Sequence, residues 1–232
     1  MKDVFGTAIL DYQLENYSED LITSTSISEE DVLPLPYLFR PFSEMPSLEQ
    51  TALTLSRGSV LDIGCGAGSH SLYLKSKGQK VKSIDISEGA IKACRLRGLD
   101  NVHLLDVMEE TQRFDSLLLL MNGSGIFQSL AHTPFVLKHL KSLLNPNGQI
   151  LIDSSDIKYM YSAKDGSCWV DTTKAYYGEL EYTVRYKNQE ATFSWMYLDF
   201  ENLKIACDQV GLKCELVEEG PHYDFLAKLS IA

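Results

Sequence analysis

Three glycines at alternate positions, Gly64, Gly66 and Gly68, separate the apolar run Ser59–Ile63 from a helix-forming stretch that begins at Ser69. Without Cβ atoms they bring bare main-chain N–H groups against a ligand at a helix N-terminus. Asp62 precedes them. Asp85 follows about twenty residues beyond the first glycine, near the end of a second short apolar run (80–86), where a carboxylate accepts both hydroxyls of a ribose. The chemistry predicted is nucleoside binding across two strand ends. A dinucleotide fingerprint, G-x-G-x-x-G, would put its third glycine at position 69, which is Ser69, so the nicotinamide reading is the weaker one. Three side chains are candidates to accept a proton: Asp153 at the end of an apolar run, His132 in a loop, and His222 ahead of the last strand. A hydrolase nucleophile elbow is not present, since Gly123-Ser124-Gly125 lacks the G-x-S-x-G spacing.

The rhythm of the chain predicts an α/β fold: a doubly wound, mostly parallel seven-stranded sheet with helices on both faces. Short branched runs at 59–63, 80–86, 114–121 and 150–153 alternate with helical spacing, and the helix after the glycines turns Leu72 and Tyr73 inward. Ser87, Thr133 and Asp199 are the expected helix caps, Ser47 and Gln50 form a possible capping box, and Gly78, Gly98 and Gly211 are helix stops. Residues 1–56 form an N-terminal, mainly helical covering segment in which Pro34 and Pro36 enforce an extended path. Residues 57–155 are the ligand-binding core. The rhythm breaks in 156–198, where 179–187 alternates polar and apolar residues before a turn at 188–190, so a β-hairpin is added there as a cap. Residues 199–232 supply the last helix and a C-terminal strand pair, all within a single domain. Aromatics crowd the cap, at Tyr159, Tyr161, Trp169, Tyr176, Tyr177, Tyr182, Tyr186 and Trp195; some are hairpin core, and others wall off water or meet a cationic or aromatic ligand.

Taken in order, these motifs resemble the class I S-adenosylmethionine-dependent methyltransferases. Residues 62–68 (D-I-G-C-G-A-G) are similar to that family's first motif, an acid two residues ahead of G-x-G-x-G. Residues 81–87 resemble its second strand, 102–107 its third, 114–123 its fourth strand with the substrate-side loop, and 143–153 its next helix end, turn and fifth strand. The loop and the following S-L-Y-L (71–74) are similar to small-molecule branches of the family, and the segment around Tyr37 to a group of bacterial members. The resemblance implies S-adenosylmethionine as cofactor, S-adenosylhomocysteine as product, and methyl transfer to a small acceptor at O, N, S or C. It implies that Gly64, Gly66 and Gly68 give main-chain access to the methionine part, with Cys65 a passenger and Asp62 facing the ammonium. Asp85 takes the ribose hydroxyls, Ile86 and Val107 sandwich the adenine, and Asp106 accepts from its amino group. The backbone carbonyl of Asn122 meets the ammonium, and Arg40, after Tyr37, clamps the methionine carboxylate. Read locally, Arg40 is an exposed loop arginine.

Composition narrows the partners. The 232 residues are 44% hydrophobic and 23% charged, with a net charge of −11, which excludes the Lys/Arg concentration of a nucleic-acid groove and leaves a neutral or cationic small molecule as acceptor. Five cysteines, Cys65, Cys94, Cys168, Cys207 and Cys214, show neither C-x-x-C pairs nor metal-ligand spacing with the five histidines, so buried free thiols and no metal are expected. An N-terminus without an apolar signal core, and no membrane-length apolar run, predict a cytoplasmic protein, monomer or homodimer. Two other functions fit the fold class: a noncatalytic S-adenosylmethionine-binding protein and a nicotinamide-dependent oxidoreductase.

Overall fold

The strand ahead of the glycines has apolar surface to cover on both sides, and the fold supplies a layer for each. In the computed structural model, which describes residues 2–161 and 176–232, β3 spans Ser59–Ile63. Its Val60 packs with Leu48, Ala52 and Leu53 of α3 (Ser47–Leu55) and Leu74 of α4 (Ser69–Ser76). Its Leu61 and Ile63 face the other way, into the cluster holding Leu137 and Leu140 of α6 (Thr133–Ser142) and Leu203 and Ala206 of α7 (Phe200–Val210). The same alternation recurs in β6 (Phe114–Leu119) and β7 (Leu144–Ser155), whose Leu118 and Leu151 join the first cluster and whose Leu117, Leu119, Ile150 and Ile152 join the second. Each such fully buried side chain contributes about 1.5–3 kcal/mol.

With β4 (Lys80–Asp85), β5 (Val102–Leu104), β10 (Leu212–Glu219) and β11 (Asp224–Ile231), the sheet has seven strands in the order β10-β11-β7-β6-β3-β4-β5. Strands β3 to β7 are parallel and β11 runs antiparallel to β7, the predicted mostly parallel, doubly wound sheet. From β3 the chain winds outward to β4 and β5, then returns to β6 on the other side of β3. The carboxyl ends of β3 and β6 are therefore the topological switch point, where ligands of such sheets bind.

A second sheet covers that end. Its strands β1 (Leu21–Thr25), β2 (Ser28–Leu33), β8 (Glu179–Tyr186) and β9 (Gln189–Met196) lie in the order β2-β1-β8-β9. The hairpin expected at 179–198 is present, but it pairs with N-terminal strands where a mainly helical segment was expected: Ile22 sits opposite Arg185 and Thr25 opposite Tyr182. The short, polar β1 and the acidic β2 carry little strand signal by themselves. They pair with each other, β1 also takes β8 from far along the chain, and the charges on β2 suit an unpaired edge. Leu21, Val184 and Tyr186 pack under this sheet against Val4 and Ala8 of α1 (Val4–Gln13). Tyr186 is thus core, while Trp169 and Cys168 lie outside the described residues.

Local expectations fared unevenly. Ser87 caps α5 (Glu88–Leu96) by accepting from the Ala90 N–H at 3.0 Å, and Asp199 caps α7 from the Asn202 N–H at 3.0 Å. Other boundaries moved. Pro36 does not extend the chain but sits in the first turn of the short helix α2 (Leu35–Leu38), capped by Pro34, because a proline lacks only a donor that a first turn does not use. The capping box does not form: Pro46 occupies the cap, Ser47 is already helical, and the Gln50 amide donates to the Met45 carbonyl at 2.8 Å. Thr133 is likewise inside α6, with His132 at the cap, since its hydroxyl donates back to the Ser129 carbonyl at 3.0 Å. In α4 the fully inward side chains are Ser71 and Leu74, with Leu72 and Tyr73 only partly covered. Among the described residues no helix is long and apolar enough to cross a membrane.

The N-terminal helix docks through contact without side chains. A Cβ on Gly89 of α5 would lie 2.2 Å from the Gly6 carbonyl oxygen of α1. The Asp3 carboxylate secures the contact, accepting from the Gly6 N–H at 3.0 Å and from the Gly89 N–H at 2.9 Å, so one group caps both helices. Helix propensity alone would favour Gly89→Ala by about 1 kcal/mol. The expected result in urea denaturation is the opposite, a loss of about 1–3 kcal/mol through overpacking, and a stabilised variant would show that α1 does not dock on α5.

Candidate active site

Gly64 and Gly66 have positive φ, 72° and 52°, and an added Cβ on either would meet nothing within 4 Å. Their main chain therefore borders open space, as a ligand-facing loop requires. Gly68 differs: its Cβ position falls 2.7 Å from a Leu99 methyl and 2.8 Å from the Cys94 sulfur, so this glycine permits the loop to pack on its support. Asp85 reaches across from β4, its Oδ2 accepting from the Gly66 N–H and its Oδ1 from the Ser87 N–H, both at 2.9 Å. The Cys94 thiol donates to the Gly66 carbonyl at 3.2 Å, and the Arg97 guanidinium to the Ala67 carbonyl. Cys65 is buried with its sulfur 3.9 Å from that of Cys94, away from any chemistry with a ligand.

Three carboxylates at or near the carboxyl ends of β3, β4 and β7 are desolvated. Burial pushes Asp62 above the ordinary carboxylate range, opposed by the nearby His70 and by the Ser71 hydroxyl, which donates at 2.6 Å. Burial likewise raises Asp85 against the N–H groups of Gly66 and Ser87. Asp153, at the end of β7, is pushed up to about 6 by burial although it accepts from the backbone of Gly123, Asn122 and Met121. Its oxygens lie 2.8 Å from the Gly123 nitrogen and 3.0 Å from that of Met121. Desolvated acids of this kind form a well for a positively charged ligand.

The loop that Asp153 holds is strained. Met121 and Asn122 both adopt left-handed backbone, φ 66° and 60°, a conformation costly outside glycine. The side chain of Asn122 donates to the Met196 carbonyl at 3.0 Å, the Ser124 hydroxyl pairs with that of Ser154 at 2.6 Å, and the Ser154 hydroxyl accepts from the Leu198 N–H at 2.9 Å. This network fastens the end of β9 to the ends of β6 and β7. Trp195 lies flat against Gly125, whose Cβ position its ring fills.

Other predicted residues distribute as follows. Ile86 stands 76% exposed just beyond β4, open to a flat ligand, whereas Val107 is turned into the main core. The exposed Asp106 caps a short helical turn by accepting from Met108 N–H at 2.9 Å. His132 is tied by Nδ1 to the Phe127 carbonyl at 3.2 Å. His222 sits in the exposed turn between β10 and β11, at the same end of the sheet as Asp153. Arg40 is not the exposed loop residue its local sequence suggests: it is 5% exposed, donates to the Tyr37 carbonyl and to Glu49, and stacks 3.8 Å over the Tyr37 ring. Glu49 in turn meets His70 Nε2 at 2.7 Å. The roles of Glu49 as the bridge between Arg40 and His70, and of Asp3 as the link from α1 to α5, were not expected, because those partners come from separate segments; Asp3's own position three residues ahead of Gly6 is the local signal of a helix cap.

A methyltransferase-domain family model matches residues 55–195, more than half of the chain. The chain belongs to the S-adenosylmethionine-dependent methyltransferase family. A solved S-adenosylmethionine-dependent methyltransferase from Bacteroides fragilis, in complex with S-adenosylhomocysteine, is 39% identical, covers 100% of this chain and 95% of its own, and superposes with a TM-score of 0.93. The ubiquinone biosynthesis O-methyltransferase of Xanthomonas oryzae pv. oryzae (strain PXO99A) is 27% identical over 114 residues. That match takes in 44% of this chain and spans 45% of that relative's length. The CcbJ methyltransferase of Streptomyces caelestis, 15% identical with a TM-score of 0.65 over 100% of both chains, shares the fold alone.

The cofactor is S-adenosylmethionine, and the residues present fit it: open space in front of two glycines, desolvated acids at strand ends nearby, and a buried Arg40 Nε with no partner. The nicotinamide reading gives way accordingly. Asp85→Ala removes both a ribose acceptor and the anchor of Gly66, so S-adenosylhomocysteine affinity measured by calorimetry is expected to fall at least about tenfold. Unchanged affinity would overturn the ribose assignment.

Proposed function

We propose that this protein transfers the methyl group of S-adenosylmethionine to a neutral or cationic small molecule in the cytoplasm. The observation that carries the proposal is the crevice at the switch point: exposed glycine main chain answered by the Asp85 carboxylate, with strained loop 121–123 on its far side. When bound, the cofactor supplies a methyl group on a sulfonium, already activated for in-line displacement. The work left to the protein is alignment and exclusion of water.

In this reading Gly64 and Gly66 offer main chain to the methionine part, Asp62 faces its ammonium together with the Asn122 carbonyl, and Asp85 takes the ribose. Ile86 covers one face of the adenine, Asp106 accepts from its edge, and Arg40 beside Tyr37 holds the carboxylate. In this reading phenols and acids beyond the end of β7 wall the acceptor end: Tyr177 donates to Asp156 at 2.7 Å and Tyr159 stacks on Tyr223 with ring centroids 4.7 Å apart, while Tyr176, donating to Asp199, belongs to the main core behind them. Such a wall suits an acceptor without negative charge, and the chain's −11 net charge speaks against nucleic acid. Free thiols at Cys65, Cys94, Cys207 and Cys214 support a reducing compartment.

Asp153 serves in this reading less as a base than as the anchor of the loop, since its two oxygens already receive backbone N–H groups. Asp153→Asn keeps one acceptor and loses the charge. S-adenosylhomocysteine formation in the presence of acceptor is expected to slow at least about tenfold, and cofactor affinity to fall with it, because the loosened loop carries the Asn122 carbonyl. Turnover of the wild type is expected to decline as pH falls through about 6, where Asp153 gains its proton, and the variant to lack that limb. The sign for stability is opposite: a raised carboxyl contributes most below its ordinary 3.8 and loses that contribution as pH rises through about 6. Undiminished turnover in Asp153→Asn would remove this residue from the mechanism. The function itself is tested by incubating the protein with labelled S-adenosylmethionine and fractionated metabolites. Label appearing on a small molecule supports methyl transfer, and cofactor binding without any transfer would leave only a binding protein.

A further inference from the structure

Arg40, Glu49 and His70 come from three separate segments: the turn after α2, helix α3, and the first turn of α4 directly behind the glycine loop. All three are nine-tenths or more buried, at 5%, 4% and 9% exposure. Glu49 bridges the two basic groups, one oxygen on the Arg40 guanidinium and the other 2.7 Å from His70 Nε2. The segment carrying Arg40 packs against the glycine loop: the Ser69 hydroxyl donates to the Leu38 carbonyl at 2.9 Å, and the Arg97 guanidinium donates both to the Ala67 carbonyl and to that of Phe39. The Tyr37 ring over which the guanidinium stacks is 39% exposed. Arg40 Nε is buried and has no hydrogen-bond partner, a deficit that an anionic ligand group relieves.

We propose that His70 is a positioning residue for the carboxylate of the cofactor's methionine part, acting through Glu49 and Arg40 by supplying the charge that Glu49 would otherwise take from the arginine. The proposal rests on the assignment of Arg40 to that carboxylate. The charge count gives the reason. An Arg40–Glu49 pair alone sums to zero and has little to offer an anion, whereas a protonated His70 raises the cluster to a net +1 with Glu49 shared between two cations. The groups acting on the His70 ring are Glu49 from α3, Asp62 from β3 and Arg40 from the turn after α2; burial disfavours its proton, while Glu49 and Asp62 together hold it above its ordinary 6.5. Glu49 is correspondingly held below the ordinary carboxylate range, its own burial outweighed by His70 and Arg40 acting together. Buried ion clusters seldom add much stability, so a functional reason for keeping three charged groups dry is physically reasonable.

Two ligands separate positioning from mere support of the fold. S-adenosylhomocysteine carries the carboxylate; its decarboxylated analogue, S-adenosyl-3-thiopropylamine, keeps the adenosine, the thioether and the ammonium without it. Calorimetry with the full chain is expected to show S-adenosylhomocysteine affinity falling as pH rises from about 6 to about 8.5, with no such fall for the decarboxylated analogue. His70→Gln, whose amide still donates to Glu49 but carries no charge, is expected to bind S-adenosylhomocysteine about tenfold more weakly at the lower pH, to bind the decarboxylated analogue normally, and to lose the pH dependence. If His70→Gln weakens both ligands alike, or the wild type shows no ligand-specific pH dependence, the proposal falls; the pH series on the wild type decides the matter even if the variant does not fold. Arg40→Gln distinguishes the underlying assignment. Selective loss of S-adenosylhomocysteine in Arg40→Gln without any effect at His70 keeps the arginine assignment and overturns the proposal, whereas an unaffected Arg40→Gln overturns both.

Discussion

One hydrogen bond fixes the geometry on which the site depends: the Gly66 N–H donates to Asp85 at 2.9 Å, joining the ends of β3 and β4. A glycine loop with three residues of positive φ has many conformations open to it. The carboxylate selects one of them, and the Ser87 N–H holds the carboxylate. The thiol of Cys94 and the guanidinium of Arg97 take the next two carbonyls of the loop from behind, so its free surface faces only the crevice. Burial raises the pKa of Asp85, and the same is true of Asp62 and Asp153. Three such acids at neighbouring strand ends are unfavourable without positive charge nearby. That electrostatic deficit matches a ligand carrying a sulfonium and an ammonium better than one carrying a pyrophosphate.

On the opposite wall the protein accepts backbone strain for a similar purpose. Met121 and Asn122 are both left-handed, and neither is glycine. They are held by Asp153 from β7 and by the Asn122 amide on β9, so two sheets cooperate to keep one loop in a conformation it would not adopt alone. Strain maintained by several independent partners at a strand end is characteristic of working sites.

Much of this was legible in the residues. The acid–glycine motif at 62–68, the spacing to Asp85, the caps at Ser87 and Asp199 and the hairpin after 179 depend on contacts close in sequence or on turn chemistry, and each appears in the structure. What could not be read was whatever needs a distant partner. Strands β1 and β2 look polar because the β8–β9 hairpin and α1 supply their apolar neighbours. Arg40 looks exposed because Glu49 and His70 are invisible as its partners until α2, α3 and α4 converge. Val107 shows a subtler limit: its place in the chain matches an adenine-facing position, yet packing draws its side chain into the main core. Pro36 leaves the expected extended path for a simpler reason. Pro34 keeps that path, but a proline suits an extended run and the first turn of a helix equally, and only the surroundings choose between these for Pro36.

The covering sheet has a consequence for how the molecule is made. Ser26 and Glu181 meet across it although 155 residues separate them, with β3 to β7 and their helices lying between. As the chain emerges from the ribosome, the glycine loop and its supporting strands can assemble first, while the β1–β2 hairpin waits with one edge of β1 unpaired. The charges of β2 guard the other edge of that hairpin, which stays open even after β8 arrives on β1 to close the roof.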